Sequence, residues 1–399
     1  MEKRLIYVFI ALGVISLLAD VTYEGARSIS GAYLNFLAAP AIAAGLLAAG
    51  ELLSYLVRFF SGFLAQKTYS PKIFWSLIYV GYAMNLFAIP LLAFTNHWLQ
   101  ALVLFFLERV GKGLRTPVRD VLVAEVSEGL GRGKGFGIHE VLDQVGAIAG
   151  PAIIGLSLTY YSDNISIGYK YSFLILGIPA GLSMMFLAYT YSRYPRPKAV
   201  SVKRGGVEVK SLGRSYWIYL AGSSIAIAGL LHWGLVSYYL EDLAKAGKMF
   251  SAEIPILYLV AMASDALIAL PIGILYDRYK YISLFLIPIA TIPIPLLLFI
   301  YPDRLGLYVM SIIWGISVGG AETTMRAAVA DIVGESSRLI AYGLFSMLYG
   351  GSMFIGGVVA SYLYQIKAIH GIIFLTIMLE ATALTCYGIM IKESIRQSR

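Results

Sequence analysis

The property of this sequence that most limits its fold is the recurrence of long apolar runs separated by short polar breaks. A helix that crosses a bilayer needs roughly 20 consecutive, mostly apolar residues. The chain offers twelve such segments, near 5–37, 41–66, 72–95, 98–124, 134–160, 168–192, 216–240, 254–276, 281–301, 306–331, 339–365 and 370–392. Composition agrees with a life in lipid: 59% of the 399 residues are hydrophobic and 14% are charged, against about 25% charged in a soluble domain. Within lipid every backbone polar group must be satisfied by the chain itself, so spanning segments are helices or a closed barrel. Runs of this length fit helices, and the expected class is an all-α membrane protein. Pro90, Pro179, Pro271, Pro293 and Pro295 fall inside the runs, where neighbouring helices can satisfy the backbone groups they free.

Several function classes drop out early. The net charge of +8 is spread over short loops between apolar runs, which is a topology signal rather than a nucleic-acid patch. A single cysteine, Cys386, permits neither a disulfide framework nor a cysteine-based metal site. The first apolar run continues past Asp20 without a small-residue cleavage site, so it reads as a retained helix. No nucleophile elbow or metal-binding His/Glu string marks an enzyme, and no cofactor is expected. The segment GLGRGKGFG at 129–137 lacks the order of a phosphate-binding loop and follows no strand; it reads as a turn. Nothing resembles a channel's selectivity filter.

Lysine and arginine set the orientation. Lys3, Arg4, Lys67, Lys72, Arg132, Lys134, Arg278, Lys280, Arg338, Lys392, Arg396 and Arg399 fall on one side, with the basic stretch 192–215. The other side has Lys170, Lys245, Lys248, Arg304 and Lys367, diluted by Asp163, Glu241, Asp242, Glu253 and Asp303. Both termini and the central stretch are therefore expected in the cytoplasm, in a multi-pass protein of the cell (plasma or inner) membrane. The chain divides into an N-terminal six-helix half (1–191), a cytoplasmic basic linker (192–215) and a C-terminal six-helix half (216–399). The halves echo each other. RFFSGFLAQK answers LPIGILYDRYK, GKGLRTPVRDVLVAEV answers SVGGAETTMRAAVADIV, and Phe136-Gly137 answers Tyr342-Gly343. Two such halves with substrate between them is the plan of a transporter.

Ionisable residues inside the apolar runs must face water or a partner. At about 100° per residue, Glu108, Lys112, Arg115 and Arg119 share a stripe of the fourth helix, and His139, Asp143, Gly146 and Gly150 share a face of the fifth. On the first helix Asp20, Glu24 and Arg27 lie on one narrow face beside Tyr23. They are either an internal ion pair that ties the helix to a neighbour, or a proton acceptor with Arg27 as a substrate contact. Burial and a nearby cation act oppositely on a carboxyl group's proton affinity, so such a site can be poised for exchange. Glu51 and Arg58 on the second helix are about 10 Å apart along the axis and do not pair directly. Arg109, near the bilayer centre, needs a partner among Asp20, Glu24, Glu51 and Asp143; the short loop between helices four and five favours Asp143. His139 and Asp143, one turn apart, are a proton relay or a satisfied structural pair. The candidate proton-coupling set is Asp20, Glu24, Glu51, Arg109, His139 and Asp143. His139, Asp143, Glu51 and Asp20 would also suit Zn, Mn or Fe, but no His-rich loop or second buried histidine accompanies them in this half, and no metal site is expected. Arg119 with Asp120 reads as a latch at the cytoplasmic end.

The second half carries fewer charges. Its polar positions are His232, Trp233, Asp265, Trp314, Glu322 with Arg326 one turn on, Tyr349 and Glu380. Candidate substrate contacts are Tyr23, Arg27, Lys112 and Arg115 from the first half, and His232, Trp233, Asp265, Trp314, Glu322 and Tyr349 from the second. The expected division of labour is proton coupling in the first half and an apolar, aromatic substrate surface in the second.

Three motifs carry a resemblance. After helix two stands Gly62-Phe63-Leu64-Ala65-Gln66-Lys67, echoed by Gly273-Ile274-Leu275-Tyr276-Asp277-Arg278. Helix four has Arg109-x-x-Lys112-Gly113, and helix five has Gly146-x-x-x-Gly150-Pro151-x-x-x-Gly155. With these the chain resembles the major facilitator superfamily over essentially its whole length. The resemblance implies that family's fold, twelve transmembrane helices in two pseudo-symmetric halves working by alternating access. It implies a cytoplasmic charge latch at the Gly62 and Gly273 motifs, with Gln66 in place of the usual Asp and Asp277 keeping it. It also implies proton handling by Arg109 and, from the helix-five signature, a proton-coupled antiporter. The function expected is export of small amphipathic or drug-like molecules, by a monomer whose partners are its substrate, protons and the bilayer. An alternative is export of organic anions or siderophore-like, metal-chelate solutes, with Arg27, Arg109, Lys112 and Arg115 binding carboxylate or phosphate groups.

Overall fold

A computed structural model describes residues 3–68, 70–197, 212–334 and 337–397. The core of the expected linker, 198–211, lies outside the described residues, as does the side chain of Gln66. Among the described residues there are helices and no strand. Twelve spans follow in order. The first is Lys3–Ser28 continued by Ser30–Phe36; the second is Ile42–Leu46 and Ala49–Thr68; the third is Pro71–Leu91. The fourth and fifth, Trp98–Val126 and Arg132–Tyr160, are long unbroken helices, and the sixth is Ile165–Ile175 with Gly177–Arg193. The seventh is interrupted between Arg214–Gly229 and Trp233–Lys245; the eighth is Glu253–Tyr279; the ninth is Leu286–Thr291 with Pro293–Phe299. The tenth runs Arg304–Gly320, a π-turn Ala321–Met325, and Arg326–Ile332; Arg338–Gln365 and Ile369–Gln397 complete the set.

Local chemistry explains the ends. Ser70, Asn164 and Asp303 each accept a hydrogen bond from a backbone N–H of the first helical turn, and Pro71 occupies the first helical position, where no donor is needed. The turn between spans four and five is closed by Gly131 at φ 91°, a conformation open to glycine without strain. By length and apolarity alone, ten segments qualify as spans. The fourth fails because Glu108, Arg109, Lys112, Arg115, Arg119 and Asp120 all lie within it, and the eighth and ninth merge as Glu253–Phe299.

Packing divides the chain into two compact units that do not follow its order. One comprises Met1–Ala39, Leu53–Arg204 and Ser237–Leu259; the other Pro40–Leu52, Gly205–Val236 and Val260–Arg399. The first has a core of Val8, Leu12, Ile15, Tyr82, Leu122 and Val126. The second centres on Tyr216, Tyr219, Ile227, Met325, Phe345 and Tyr387. In the first unit the end of span one is tied to the second helix of span seven, Trp233–Lys245. Asn35 donates to the Tyr238 carbonyl and to Asp242, both at 2.8 Å. Tyr238 donates to the Ala39 carbonyl at 2.7 Å, and the Gly31 N–H to Ser237 at 3.1 Å. Tyr169 of span six donates to Glu241 at 3.1 Å.

Glycines bring the first unit's helices together. A Cβ on Gly146 would lie 2.5 Å from the Leu17 carbonyl and 2.8 Å from Asp20 Cβ, and one on Gly150 would strike the Val21 carbonyl and Gly25. The glycines of the helix-five signature are thus the contact surface for span one, the close approach that small residues allow between membrane helices. Gly81 and Gly111 do the same for spans three and four, and Gly113 admits Ser54 and Val57 of span two. Pro151 and Gly155 continue the fifth helix, with Gly155 against Ile256 of span eight. Gly150→Val is expected to separate spans one and five at a cost of about 1–3 kcal/mol, lowering the thermal midpoint of the detergent-solubilised protein. Gly137→Ala, where a Cβ meets nothing within 4 Å, should leave it unchanged.

Candidate functional site

The glycine crossings bring the ionisable faces of spans one, four and five onto one another. Tyr23 is the centre. Its ring lies 4.0 Å from Lys112 Nζ and 5.6 and 5.9 Å from the guanidinium carbons of Arg109 and Arg115, within the range in which an aromatic face attracts cations. Behind it runs a buried chain of hydrogen bonds. Arg115 Nε donates to Asn85 Oδ1 at 3.2 Å, Asn85 Nδ2 donates to Glu108 Oε1 at 2.6 Å, and Arg109 Nε donates to Glu108 Oε2 at 2.5 Å. Arg115, 1% exposed, also lies over the Tyr82 ring at 4.3 Å. On span one, Glu24 Oε1 pairs with Arg27 at 3.3 Å and Glu24 Oε2 accepts from Tyr258 of span eight at 2.5 Å.

A second group sits nearer the turn between spans four and five. Arg119 binds Asp120 at 2.7 Å and donates to Ser16 at 3.1 Å. The same Nη1 that donates to Ser16 stands 3.9 Å from Asp143, and His139 Nε2 stands 3.9 Å from the other Asp143 oxygen. These are ion-pair separations, too long for hydrogen bonds. Asp20 Oδ1, Asp143 Oδ1 and both His139 nitrogens are buried without a hydrogen-bond partner. Asp20 and Asp143 lie on the two helices that cross at Gly146, where the Asp20 Cβ is 2.8 Å from the place of a Gly146 Cβ.

The expectation that Arg109 meets Asp143 needs correction. The guanidinium that approaches Asp143 is that of Arg119, while Arg109 bonds its own neighbour Glu108. Counted from the turn at 1.5 Å per residue, Asp143 stands about 7 Å from the level of Arg119 and about 9 Å from that of Arg109, so depth alone does little to separate the two; Arg109 is taken up by its neighbour Glu108. Glu51, expected with these acids, is half-buried at the start of Ala49–Thr68 and belongs to the other unit. Arg58 lies over the Tyr55 ring at 5.1 Å.

Other expected residues fall as follows. Gly62 faces Pro117 of span four, and Lys67 is exposed, its amine 5.7 Å from the Phe63 ring. Gly273 faces Thr323 of span ten; Asp277 and Arg278 are exposed, Arg278 over the Tyr279 ring. In the second unit Trp233 and Trp314 pack edge to face at 5.2 Å, with the Trp314 indole donating to the Leu231 carbonyl. His232 accepts the Gly234 N–H through Nδ1, Asp265 packs its carboxylate against Gly319, and Tyr349 packs on Phe345. Glu322 and Arg326 are both exposed, and the π-turn between them changes the expected one-turn spacing. Among the described residues no group of three or more His, Cys, Asp or Glu side chains is placed to hold a metal ion.

Two members of the cluster escaped the sequence reading. Asn85 had a usable signal, as an amide within the apolar run YAMNLFAIP. Tyr258 had none, being one of 29 tyrosines.

Twelve spanning helices around a buried ionisable cluster define a multi-pass membrane transporter, and the comparisons place it in a family. The sequence profile of the Major Facilitator Superfamily matches residues 6–357; the chain belongs to that superfamily. An uncharacterized protein of Mycobacterium tuberculosis is 35% identical over 380 residues, covering 93% of this chain and 90% of its own. An uncharacterized MFS-type transporter of Methanocaldococcus jannaschii is 28% identical over 363 residues, covering 89% and 88%. Among solved structures, the nucleoside transporter NupG superposes with a TM-score of 0.73 at 14% identity, over 96% of this chain and 98% of that one. A POT family transporter in complex with a thioalcohol-conjugated peptide gives 0.74 at 13% identity, over 98% and 96%. At such identities the likeness is one of fold. The protein is a secondary transporter of small molecules rather than an enzyme.

Asn85→Leu removes a donor from Glu108 and an acceptor from Arg115 in the buried chain. Loss of hydrogen bonds to charged groups should destabilise the protein by about 1.5–3 kcal/mol, read as a lower thermal midpoint. An unchanged midpoint would show that the amide is dispensable.

Proposed function

We propose that the protein is a proton-coupled antiporter that exports small amphipathic or drug-like molecules by alternating access, as a monomer of the plasma or inner membrane with both termini in the cytoplasm. The observation that carries this reading is that Asp20 and Asp143, on the two helices that cross at Gly146, each have a buried oxygen lacking a hydrogen-bond partner. Two carboxylates brought into one buried site make a place where a proton can be held between them.

The charge balance supports the same reading over the organic-anion alternative. The five cations Arg27, Arg109, Lys112, Arg115 and Arg119 accompany the five acids Asp20, Glu24, Glu108, Asp120 and Asp143. Arg27, Arg109 and Arg119 are each held by a carboxylate, and Arg115 by Asn85. With all acids ionised the cluster is neutral and offers no standing positive charge to a substrate anion. A proton on the Asp20–Asp143 pair weakens the hold on Arg119 and Lys112. Glu24 then relates the charge state of span one to span eight through Tyr258. In the second unit the Trp233–Trp314 pair and Tyr349 supply aromatic surface for the apolar part of a substrate.

Asp20→Asn and Asp143→Asn are expected to reduce transport driven by a pH gradient in proteoliposomes to background, while substrate counterflow persists. If counterflow is lost together with gradient-driven transport in folded variants, the pair is structural. If organic anions alone move protons and Arg109→Ala abolishes their binding, the cluster is a substrate site and the cargo proposed here is wrong.

A further inference from the structure

The seventh span stops at Gly229 and restarts at Trp233. Between them Leu230–His232 leave backbone groups without helical partners, which in lipid must be satisfied by side chains. Thr376 of span twelve donates to the Gly229 carbonyl at 3.2 Å, Trp314 of span ten to the Leu231 carbonyl at 2.8 Å, and the Gly234 N–H to His232 Nδ1 at 3.0 Å. One turn beyond Thr376, on the same face, is Glu380. It is 0% exposed, and neither carboxyl oxygen has a hydrogen-bond partner. Oε1 fills the place where a side chain on Gly229 would begin, with Cδ 3.0 Å from that point. Counted from Ile369, Glu380 lies about 17 Å into the bilayer, near the middle of its hydrocarbon layer, about 30 Å thick.

The surroundings of this carboxyl contain nothing to hold a negative charge. The carbonyl end of Arg214–Gly229 points a negative partial charge toward it. That helix has one charged residue, Arg214, at its far end; the ninth span has none, and the eleventh has Arg338 at its first residue. Lys280, ahead of the ninth span, is paired with Asp331 at 3.2 Å. Among the described residues, the titratable groups near Glu380 on its own helix are Tyr387, which donates to Ser223, and Cys386, and His232 lies in the interruption. An ionised carboxylate here would have neither a cation nor a donor.

We infer that Glu380 is a second proton-binding site, in the C-terminal unit, which carries its proton while the interruption of span seven is packed and yields it when that interruption opens to water. On opening, the carboxyl O–H bond breaks, the proton passes to water and the carboxylate is hydrated; closing reverses each step. The site is separate from the Asp20–Asp143 pair and does not rest on the role proposed for it. Its consequence is that the bend in span seven, and with it the aromatic pair Trp233–Trp314, is looser at higher pH.

The test is hydrogen–deuterium exchange of the Ala226–Gly234 backbone in the full-length protein in lipid nanodiscs, at a series of pH values, comparing each variant with wild type at the same pH. Wild type should exchange faster than Glu380→Gln by a ratio that grows with pH, by up to about tenfold per unit. The Asp20→Asn/Asp143→Asn double variant should keep the wild-type dependence. Identical exchange in wild type and Glu380→Gln at every pH overturns the inference. So does a dependence that vanishes in the double variant but survives in Glu380→Gln. Should Glu380→Gln not fold, Glu380→Met serves the same comparison. Independently, the infrared absorption of protonated carboxylic acids should be weaker by one component in Glu380→Gln and Glu380→Met than in wild type; an unchanged absorption also overturns it.

Discussion

A charge in the bilayer interior must be matched by another group, and the first unit is arranged around that requirement. Arg109 and Arg115 lie at depths where an unsatisfied guanidinium would be costly, and the Arg115–Asn85–Glu108–Arg109 chain answers it with hydrogen bonds between two adjacent helices. The glycines matter because they permit this matching. Gly81 and Gly111 let spans three and four approach until Asn85 reaches Glu108, and Gly146 and Gly150 let span five approach span one until Gly146 meets Asp20. Close packing and charge pairing are one problem here, solved at the same helix crossings.

The same logic separates groups that are matched from groups that are poised. Glu24 and Glu108 are saturated, each held through both oxygens. Asp20, Asp143, His139 and Glu380 are buried with oxygens or nitrogens left over. Buried polar atoms without partners are uncommon in proteins. Tyr258 is notable because it joins an acid of the first span to a helix from the other half of the sequence.

The units also show why covalent order is a poor guide to packing in this fold. Residues 237–259 pack with helices of the first half, and 40–52 with helices of the second. Asn35, with its bonds to Tyr238 and Asp242, makes the attachment of the first span to the second helix of span seven specific.

Much of this was legible in the sequence, and for clear reasons. Twelve apolar runs, the side-by-side stripes of Glu108–Arg119 and His139–Gly150, and the glycine-proline signature of helix five all follow from periodicity and from the cost of burying charge. These depend on local composition, which a sequence carries in full. Pairings depend on depth, rotation and crossing angle, which it does not carry. The short loop between helices four and five points to Arg109 as the partner of Asp143, with Arg119 left to Asp120, whereas the packed helices bring Arg119 to 3.9 Å from Asp143. Asn85 was visible as an amide in an apolar run, but its position between Glu108 and Arg115 was not. The interruption of span seven opposite Glu380 was likewise invisible, because nothing in LLHW announces a break. The sequence alone therefore determined the membrane-spanning helices and the identity of the buried charges. Tertiary structure alone decided which charges pair and which stay poised, because a pairing is fixed by distances between helices that no single helix specifies.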